Sequence, residues 1–434
     1  MDCKKLLTAL SVITLTSCTH EEHLEGTREE FLPPDKIIQT DKSIAGEKVI
    51  LPTAEVASEW LQQGYKINYI LPHLDFKGSF ESSIFTIDIG EGEETRGKKI
   101  LHSPIVVGDT LYAIDTNGKV TSMNAKTGDI NWQVNYLEPY EQRNSPVTAM
   151  SYSNNKLFLS LSQEFAMAIN VKDGSVAWKK SLTDISRIAP VVYSGNVYYL
   201  CIDNNLQVFD AETGEKKWAH VSIQEEAGLL GGSNITVASG NLVIPFSSGE
   251  LTVLSPSGAL LWADQISSQH QNDLVGSIAH IYAPIVADGK RIIVSSHTGS
   301  MIAYNLTSGK RTWEQPILNL QQPAVAGDYM YVIDKSQRMI CMRKDTGQIK
   351  WTQQLWTRLP NEPPELFRQN WHGPLLVSGK VMAFSNYGNI SVIDPQTGKI
   401  EEEKKVYHTI ATTPIIVNRV MYMLTEKNQV VAYK

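Results

Sequence analysis

The 434-residue chain is poor in cysteine and has no cysteine cluster. Cys3, Cys18, Cys201 and Cys341 form no CxxC and no Cys/His group, which excludes structural zinc and thioredoxin-type redox chemistry. Ten histidines occur without HxH or HExxH spacing, so a metal site has no support and none is expected. GxSxG and P-loop motifs are absent. Basic blocks are absent too. The 39 Lys and Arg against 46 Asp and Glu give a net charge of −7, a poor match to nucleic acid. No apolar run is long enough to span a bilayer. What remains is 42% hydrophobic and 20% charged, the balance of a globular protein with an ample core.

The first residues carry a different signal. Lys4 and Lys5 precede the apolar stretch Leu6 to Thr16, which ends Leu15-Thr16-Ser17-Cys18. A charged n-region, a short h-region and a small residue before cysteine resemble a bacterial lipobox. Cleavage would remove residues 1–17 as a signal peptide and leave Cys18 lipidated. Two or three acyl chains suffice for stable attachment to a membrane. Thr19 stands where an aspartate would favour inner-membrane retention, so the expected location is the periplasmic face of the outer membrane. Residues 18–59 read as anchor and flexible tether, with Glu21-Glu22, Glu29-Glu30 and Pro33-Pro34 and little apolar periodicity.

Residues 60–434 repeat. One unit runs from Pro104 to Trp132, and later units start at Pro146, Pro190, Asn234, Pro284, Pro323, Pro374 and Pro414. They close at Trp178, Trp218, Trp262, Trp313, Trp351 and, with Trp replaced, Glu402. Each unit holds four short Val/Ile/Leu/Tyr-rich strands separated by turns such as Gly108-Asp109, Asn117-Gly118 and Thr127-Gly128. Four-stranded units at this period predict an all-β fold, an eight-bladed propeller. The last unit, from Pro414, has room for three strands. The Ser83–Ile89 stretch has strand character and would complete it, with Phe85 at the Trp position, so that the two ends of the repeat region share a blade and no edge stays open. Trp132, Trp178, Trp218, Trp262, Trp313 and Trp351 are expected to pack between neighbouring blades as scaffold.

Start-to-close intervals are nearly constant at 28 to 32 residues, whereas close-to-start intervals run from 10 to 23. Insertions are thus confined to the outer-to-inner connections, which emerge on one face of the disc, and a variable loop face is often the binding face. The long connections span Gly90–Ser103, Val221–Ser233, Ala263–Ala283 and Thr352–Gly373. The last carries Trp356, Phe367 and Trp371, aromatics that would form a protein-docking patch if exposed.

The Thr/Ser/Asp-Gly-x-x-x-Trp ending resembles the repeat of pyrroloquinoline quinone (PQQ) dehydrogenase propellers. The chain as a whole is more similar to the BamB-like lipoproteins of outer-membrane β-barrel assembly, in their alphaproteobacterial form. Cys18, Trp60-Leu-Gln-Gln-Gly64, Ala227-Gly-Leu-Leu-Gly-Gly-Ser-Asn234, Pro245-Phe-Ser-Ser-Gly-Glu-Leu251 and Ser296-His-Thr-Gly-Ser-Met301 carry that similarity. The resemblance implies a non-catalytic, cofactor-free scaffold. It implies docking to POTRA domains of the barrel-forming subunit and help with unfolded outer-membrane proteins. The loops that would make the contact map onto Glu225–Asn234 and Gln269–Ala283. A Leu-x-Leu-Arg-Gly run of the family is matched most nearly by Gly228-Leu229-Leu230-Gly231, without the Arg. An acidic pair of the second loop is matched by Ala279 and Ile281, with Asp273 as the nearest acid. Leu229, Leu230, Gly231, Asp273, Phe367 and Trp371 are therefore the candidate partner-binding residues.

The rival reading is a PQQ-dependent quinoprotein dehydrogenase, which needs carboxylates around a metal, an Asp base and aromatic walls. Asp88, Asp115, Asp203, Asp210, Asp334 and Asp394 read instead as strand-end and turn acids. A third reading is an envelope lipoprotein propeller serving another complex. Cys201 and Cys341 fall in the third and sixth units, too far apart for a disulfide, and are expected to be free buried thiols.

Overall fold

A computed structural model describes residues 38–90, 100–143, 147–223, 231–266, 280–297, 299–355 and 369–434. Residues 39–434 form one compact unit. Eight four-stranded antiparallel sheets follow one another as blades of a propeller. Blade 1 comprises Ile105–Val107, Thr110–Ile114, Lys119–Asn124 and Ile130–Asn135. Blades 2 to 7 begin with Ala149–Ser153, Val191–Tyr193, Thr236–Ala238, Val286–Asp288, Ala324–Ala326 and Trp371–Val377. Each of these first strands except that of blade 7, which begins three residues before Pro374, follows the start expected from the repeat by one to three residues.

Blade 8 is built from both ends of the repeat region. Ile415–Val417, Val420–Leu424 and Gln429–Tyr433 supply three strands, and Phe85–Asp88 supplies the outer one. The register is Phe85 opposite Ala432 through Asp88 opposite Gln429. Within the blades the two middle strands bury nearly every residue, as in Thr110–Ile114, because each sheet is covered on both faces. Outer strands such as Ile130–Asn135 alternate toward solvent.

One regularity lies outside the repeat pattern as read. In blades 1 to 7 the pairing of the third and outer strands slips by one residue just before the Trp position, for example between Ser122 and Met123 and between Val253 and Leu254. Such a bulge increases local twist.

The six tryptophans lie at the blade seams. The indole N–H of Trp132 donates to Val171 O at 3.0 Å, Trp178 to Ala211 O at 3.2 Å, and Trp262 to Leu306 O at 2.6 Å. Trp313 donates to Lys344 O at 3.0 Å and Trp351 to Pro395 O at 3.2 Å. Every acceptor belongs to the next blade. Each ring, that of Trp218 included, also covers the glycine of the next blade's third turn, so closely that a Cβ on Gly214 or Gly309 would fall 2.6 or 2.8 Å from indole carbon. Those glycines serve both the positive φ of the turn and the approach of the ring. At the seam from blade 8 to blade 1, Phe85 covers Gly128, and Tyr422 Oη donates to Ala125 O at 2.9 Å.

The range 18–59 read as anchor and tether falls partly on described residues. Within it, residues 39–59 lie against the propeller. Asp41 N donates to Ile349 O at 2.7 Å, and Lys350 Nζ donates to the carbonyls of Ile44, Ala45 and Glu47, which covers the outer edge of blade 6. Ile44, Val49 and Ala57 are buried. Single apolar anchors joined by backbone hydrogen bonds leave no hydropathy period, so the sequence reads as tether.

Residues 60–76 then cross the axial channel. Trp60 exchanges two backbone hydrogen bonds with Val106 of blade 1. Leu61 O accepts from Tyr152 N of blade 2, Ile67 O from Val237 N of blade 4, and Asn68 O from Ala287 N of blade 5. Gln322, at the entry to blade 6, donates to Tyr69 O at 2.7 Å, and Leu74 bonds Leu376 and Ser378 of blade 7. A tight turn at Gly64, with φ +75°, lets the segment fold back, and a Cβ there would strike the Tyr69 ring at 2.2 Å.

Candidate docking face and axial channel

Two faces can be distinguished by their connections. One carries the short hairpins between first and second strands. The other carries the outer-to-inner connections together with the turns between second and third strands. Leu229, Leu230, Asp273 and Phe367 belong by sequence to connections of this loop face and lie outside the described residues, as does Cys18. The structure therefore places two of the six partner-binding candidates.

Trp371 is not a rim aromatic. It is 5% exposed and packs in the cluster with Trp351, Leu355 and Ala383. The first strand of blade 7 is longer than its counterparts in the other blades, and this extension draws Trp371 opposite Ser385 and into the core. Gly231 is also buried. At φ +82° it brings the backbone against Leu101, where a Cβ would come within 2.7 Å of Cδ1. Its contribution is close packing at the root of the connection into blade 4.

That root exposes apolar side chains which sequence reasoning missed. Val221 is 67% exposed, Ile223 70% and Ile202 37%. They share one corner of the loop face on blade 3. Asn204, buried and at φ +57°, fixes the corner. Its Nδ2 donates to Ile223 O at 2.6 Å, its backbone O accepts from Ser222 N at 3.0 Å, and its Oδ1 accepts from Ser247 N and Oγ of blade 4. A single buried amide thus holds an exposed apolar pair immediately before the segment that contains Leu229 and Leu230. The signal available in the sequence was Val221-Ser-Ile223, apolar residues at the end of an otherwise charged outer strand.

Histidines flank the same region. Burial pushes His102 and His280 down to about 4, His280 with added repulsion from His297, so both are neutral at pH 7. His102 lines a small polar cavity of about 140 Å³ at the loop-face mouth of the axial channel, with Trp60, Leu71, Gln322 and Tyr282. Among the described residues, the lining of this mouth includes no Asp or Glu that could hold a cation or act as base. Residues 60–76 run through the channel behind it.

The acids weighed for catalysis are engaged in turns. Asp88 accepts from Gly90 N, Asp115 from Asn117 N and Lys119 N, and Asp203 from Asn205 N. Asp210 and Asp394 accept from the backbone N–H groups of their Thr-Gly turns, and Asp334 pairs with Arg338. Among the described residues, no three His, Cys, Asp or Glu side chains converge as a metal site. Cys201 and Cys341 are free and buried, as expected. Burial pushes the Cys201 thiol up to about 12 and that of Cys341 higher still.

With this geometry in place, comparison with known proteins is informative. A family model described as outer membrane protein assembly factor BamB matches residues 145–353. BamB of Yersinia pestis is 24% identical over 310 residues, 70% of this chain and 76% of that protein. BamB of Burkholderia pseudomallei is 22% identical over 374 residues, 84% and 91% of the two chains. An uncharacterized protein of Rickettsia conorii is 22% identical over 261 residues, 59% of this chain and 63% of its own. Among solved structures, BamB from Moraxella catarrhalis superposes with a TM-score of 0.67 at 12% identity, covering 81% of this chain and 99% of that one. Quinohemoprotein alcohol dehydrogenase from Comamonas testosteroni gives 0.69 at 12%, covering 88% and 81%. At these identities the structural neighbours share the fold alone, and the fold hosts both scaffold and enzyme.

Proposed function

We propose that this BamB-like propeller is a non-catalytic scaffold lipoprotein of outer-membrane β-barrel assembly. In this reading residues 1–17 are a signal peptide. Cys18 carries the lipid at the periplasmic face of the outer membrane, and the chain up to residue 38 is the tether. The loop face docks onto POTRA domains of the barrel-forming subunit and assists insertion of unfolded outer-membrane proteins. The observation that carries the docking surface is the exposed apolar corner of Val221 and Ile223, held by Asn204 and followed in the chain by Leu229 and Leu230. Exposed apolar residues around a fixed polar anchor suit protein contact. The BamB relatives support the complex. The same relatives, and a channel mouth whose described lining holds no Asp or Glu, support a scaffold over a PQQ-dependent dehydrogenase.

The test is a pull-down of the full-length protein in detergent with the periplasmic POTRA domains of the same organism. Val221→Asp/Ile223→Asp and Leu229→Asp/Leu230→Asp are each expected to lose binding while circular dichroism stays unchanged. Wild type failing to bind at tens of micromolar would sink the docking reading. Co-purification with a different envelope complex would then favour a scaffold of that complex.

A further inference from the structure

Among the described residues, the axial segment makes no backbone hydrogen bond to the first strand of blade 3. In blades 1 to 5 the next-to-last residue of the first strand, one pair before the hairpin closes, turns its backbone to the channel, as Val106 does opposite Leu111. In blades 1, 2, 4 and 5 the N–H of that residue donates to the crossing segment, from Val106, Tyr152, Val237 and Ala287. The matching residue of blade 3 is Val192, opposite Val197. Among the described residues its N–H meets no carbonyl of the segment, because the chain turns away between Leu61 on blade 2 and Ile67 on blade 4.

The space left by that detour is a cavity of about 650 Å³, opening on the hairpin face. Tyr65, Tyr152 and Tyr193 wall it, and Leu61, Ile67 and Val192 add apolar surface. Gln62 lines it too. This side chain is 7% exposed, and its Nε2 has no hydrogen-bond partner, a donor awaiting an acceptor. The lining carries one charged side chain, Lys66. A cavity of this size, mostly apolar with a few directed polar groups, has the form of a binding site.

We propose that this cavity binds an extended peptide segment of another protein, which adds as a strand to the inner edge of blade 3. The molecule itself shows the chemistry, since its own Trp60 and Leu74 bridge to the inner edges of blades 1 and 7, and Leu61, Ile67 and Asn68 each accept one backbone hydrogen bond from blades 2, 4 and 5. Main-chain hydrogen bonds to Val192 provide the strand addition, and alternate side chains meet the tyrosines. The charge on Lys66 disfavours segments rich in Lys and Arg. The site lies on the face opposite the proposed POTRA contact and does not depend on it.

A phage-displayed random peptide library, selected on the full-length protein in detergent, tests this directly. The expected winners are apolar and aromatic peptides poor in Lys and Arg. Val192→Pro removes the free N–H, at a position where proline is tolerated on a sheet edge. It should weaken the selected peptides by about tenfold, the loss expected from one buried hydrogen bond. Ser153→Trp, which fills the cavity from blade 2, should abolish binding, and it serves alone if Val192→Pro fails to fold. Leu229→Asp/Leu230→Asp should leave peptide binding intact even where POTRA capture is lost. No enrichment over background on wild type, or equal binding to both cavity variants, would overturn the proposal.

Discussion

Six seams of the ring are sealed by the repeat itself, and two by the segment before it. From blade 1 through blade 7 each seam has a tryptophan laid over the next blade's glycine. Between blades 7 and 8 the Trp position is Glu402, and the outer strand Ile400–Lys405 is nearly all charged. Phe76 and Phe80 arrive there from the N-terminal side instead. Their ring centroids are 5.8 Å apart, Phe80 lies 5.5 Å from Tyr433 of blade 8, and Lys404 Nζ of blade 7 sits 5.9 Å above Phe80. Phe85 then seals blade 8 against blade 1. The lesson is that one seam design can be copied along a ring, while the place where the ends meet needs parts from outside the repeat.

This comparison can be broken at its weaker side first. A chain lacking residues 39–84 should lose cooperative unfolding altogether, visible as a broadened thermal transition and dye binding, because it strips the seam between blades 7 and 8 and empties the channel. Trp262→Ala should cost about 3–5 kcal/mol in urea unfolding, as for other large buried aromatics. Phe80→Ala, at a half-buried ring, should cost less than half of that. If Phe80→Ala proves equal to Trp262→Ala, the two kinds of seam are energetically alike.

Protonation separates the sides next. His102 precedes blade 1, on the seam closed by the N-terminal strand, and His280 precedes blade 5 on a repeat-closed seam. Both are held near 4 when folded and return to about 6.5 when unfolded. The unfolded chain therefore binds protons first as pH falls. Stability is fully present above pH 6.5 and is lost between 6.5 and 4, by on the order of 3 kcal/mol per histidine. Urea midpoints at pH 7.5 and 4.5 should differ accordingly, and His102→Leu and His280→Leu should each flatten the slope.

The smallest contrast concerns single methyl groups. Gly309→Ala places a Cβ against the Trp262 ring at φ +67° and should destabilise by more than about 1 kcal/mol. Gly195→Ala, at φ +76° but with nothing within 4 Å, should show only the backbone strain of about 1 kcal/mol. Equal melting shifts would mean that the ring approach carries no weight.

Much of the propeller was legible because each blade repeats its turns, and turns need glycine, Asx and Thr at fixed places. The Phe85–Asp88 strand was legible because a ring leaves no edge and the last unit was one strand short. The turn acids could be read from their neighbours, since Asp394 stands three residues before the Thr397-Gly398 turn that it caps. The path of residues 39–76 was hidden, because its holds are backbone hydrogen bonds and lone side chains such as Trp60 and Leu74, which carry no period. Trp371 misled because loop and long first strand look alike where a bulge follows. The bulge before each tryptophan was equally invisible, for it changes pairing and not composition. The exposed apolar corner was hidden as well, since Val221 and Ile223 look in sequence like any strand end.

Blade 8 joins Phe85–Asp88 to Gln429–Tyr433, so nearly the whole propeller lies between two adjacent strands. During synthesis the first strand must stay unpaired until the last one has been made. The disc therefore closes only when almost all of its blades exist. A product cut short by even one hairpin presents an unpaired strand edge and an open axle, features by which proteases distinguish fragments from finished molecules.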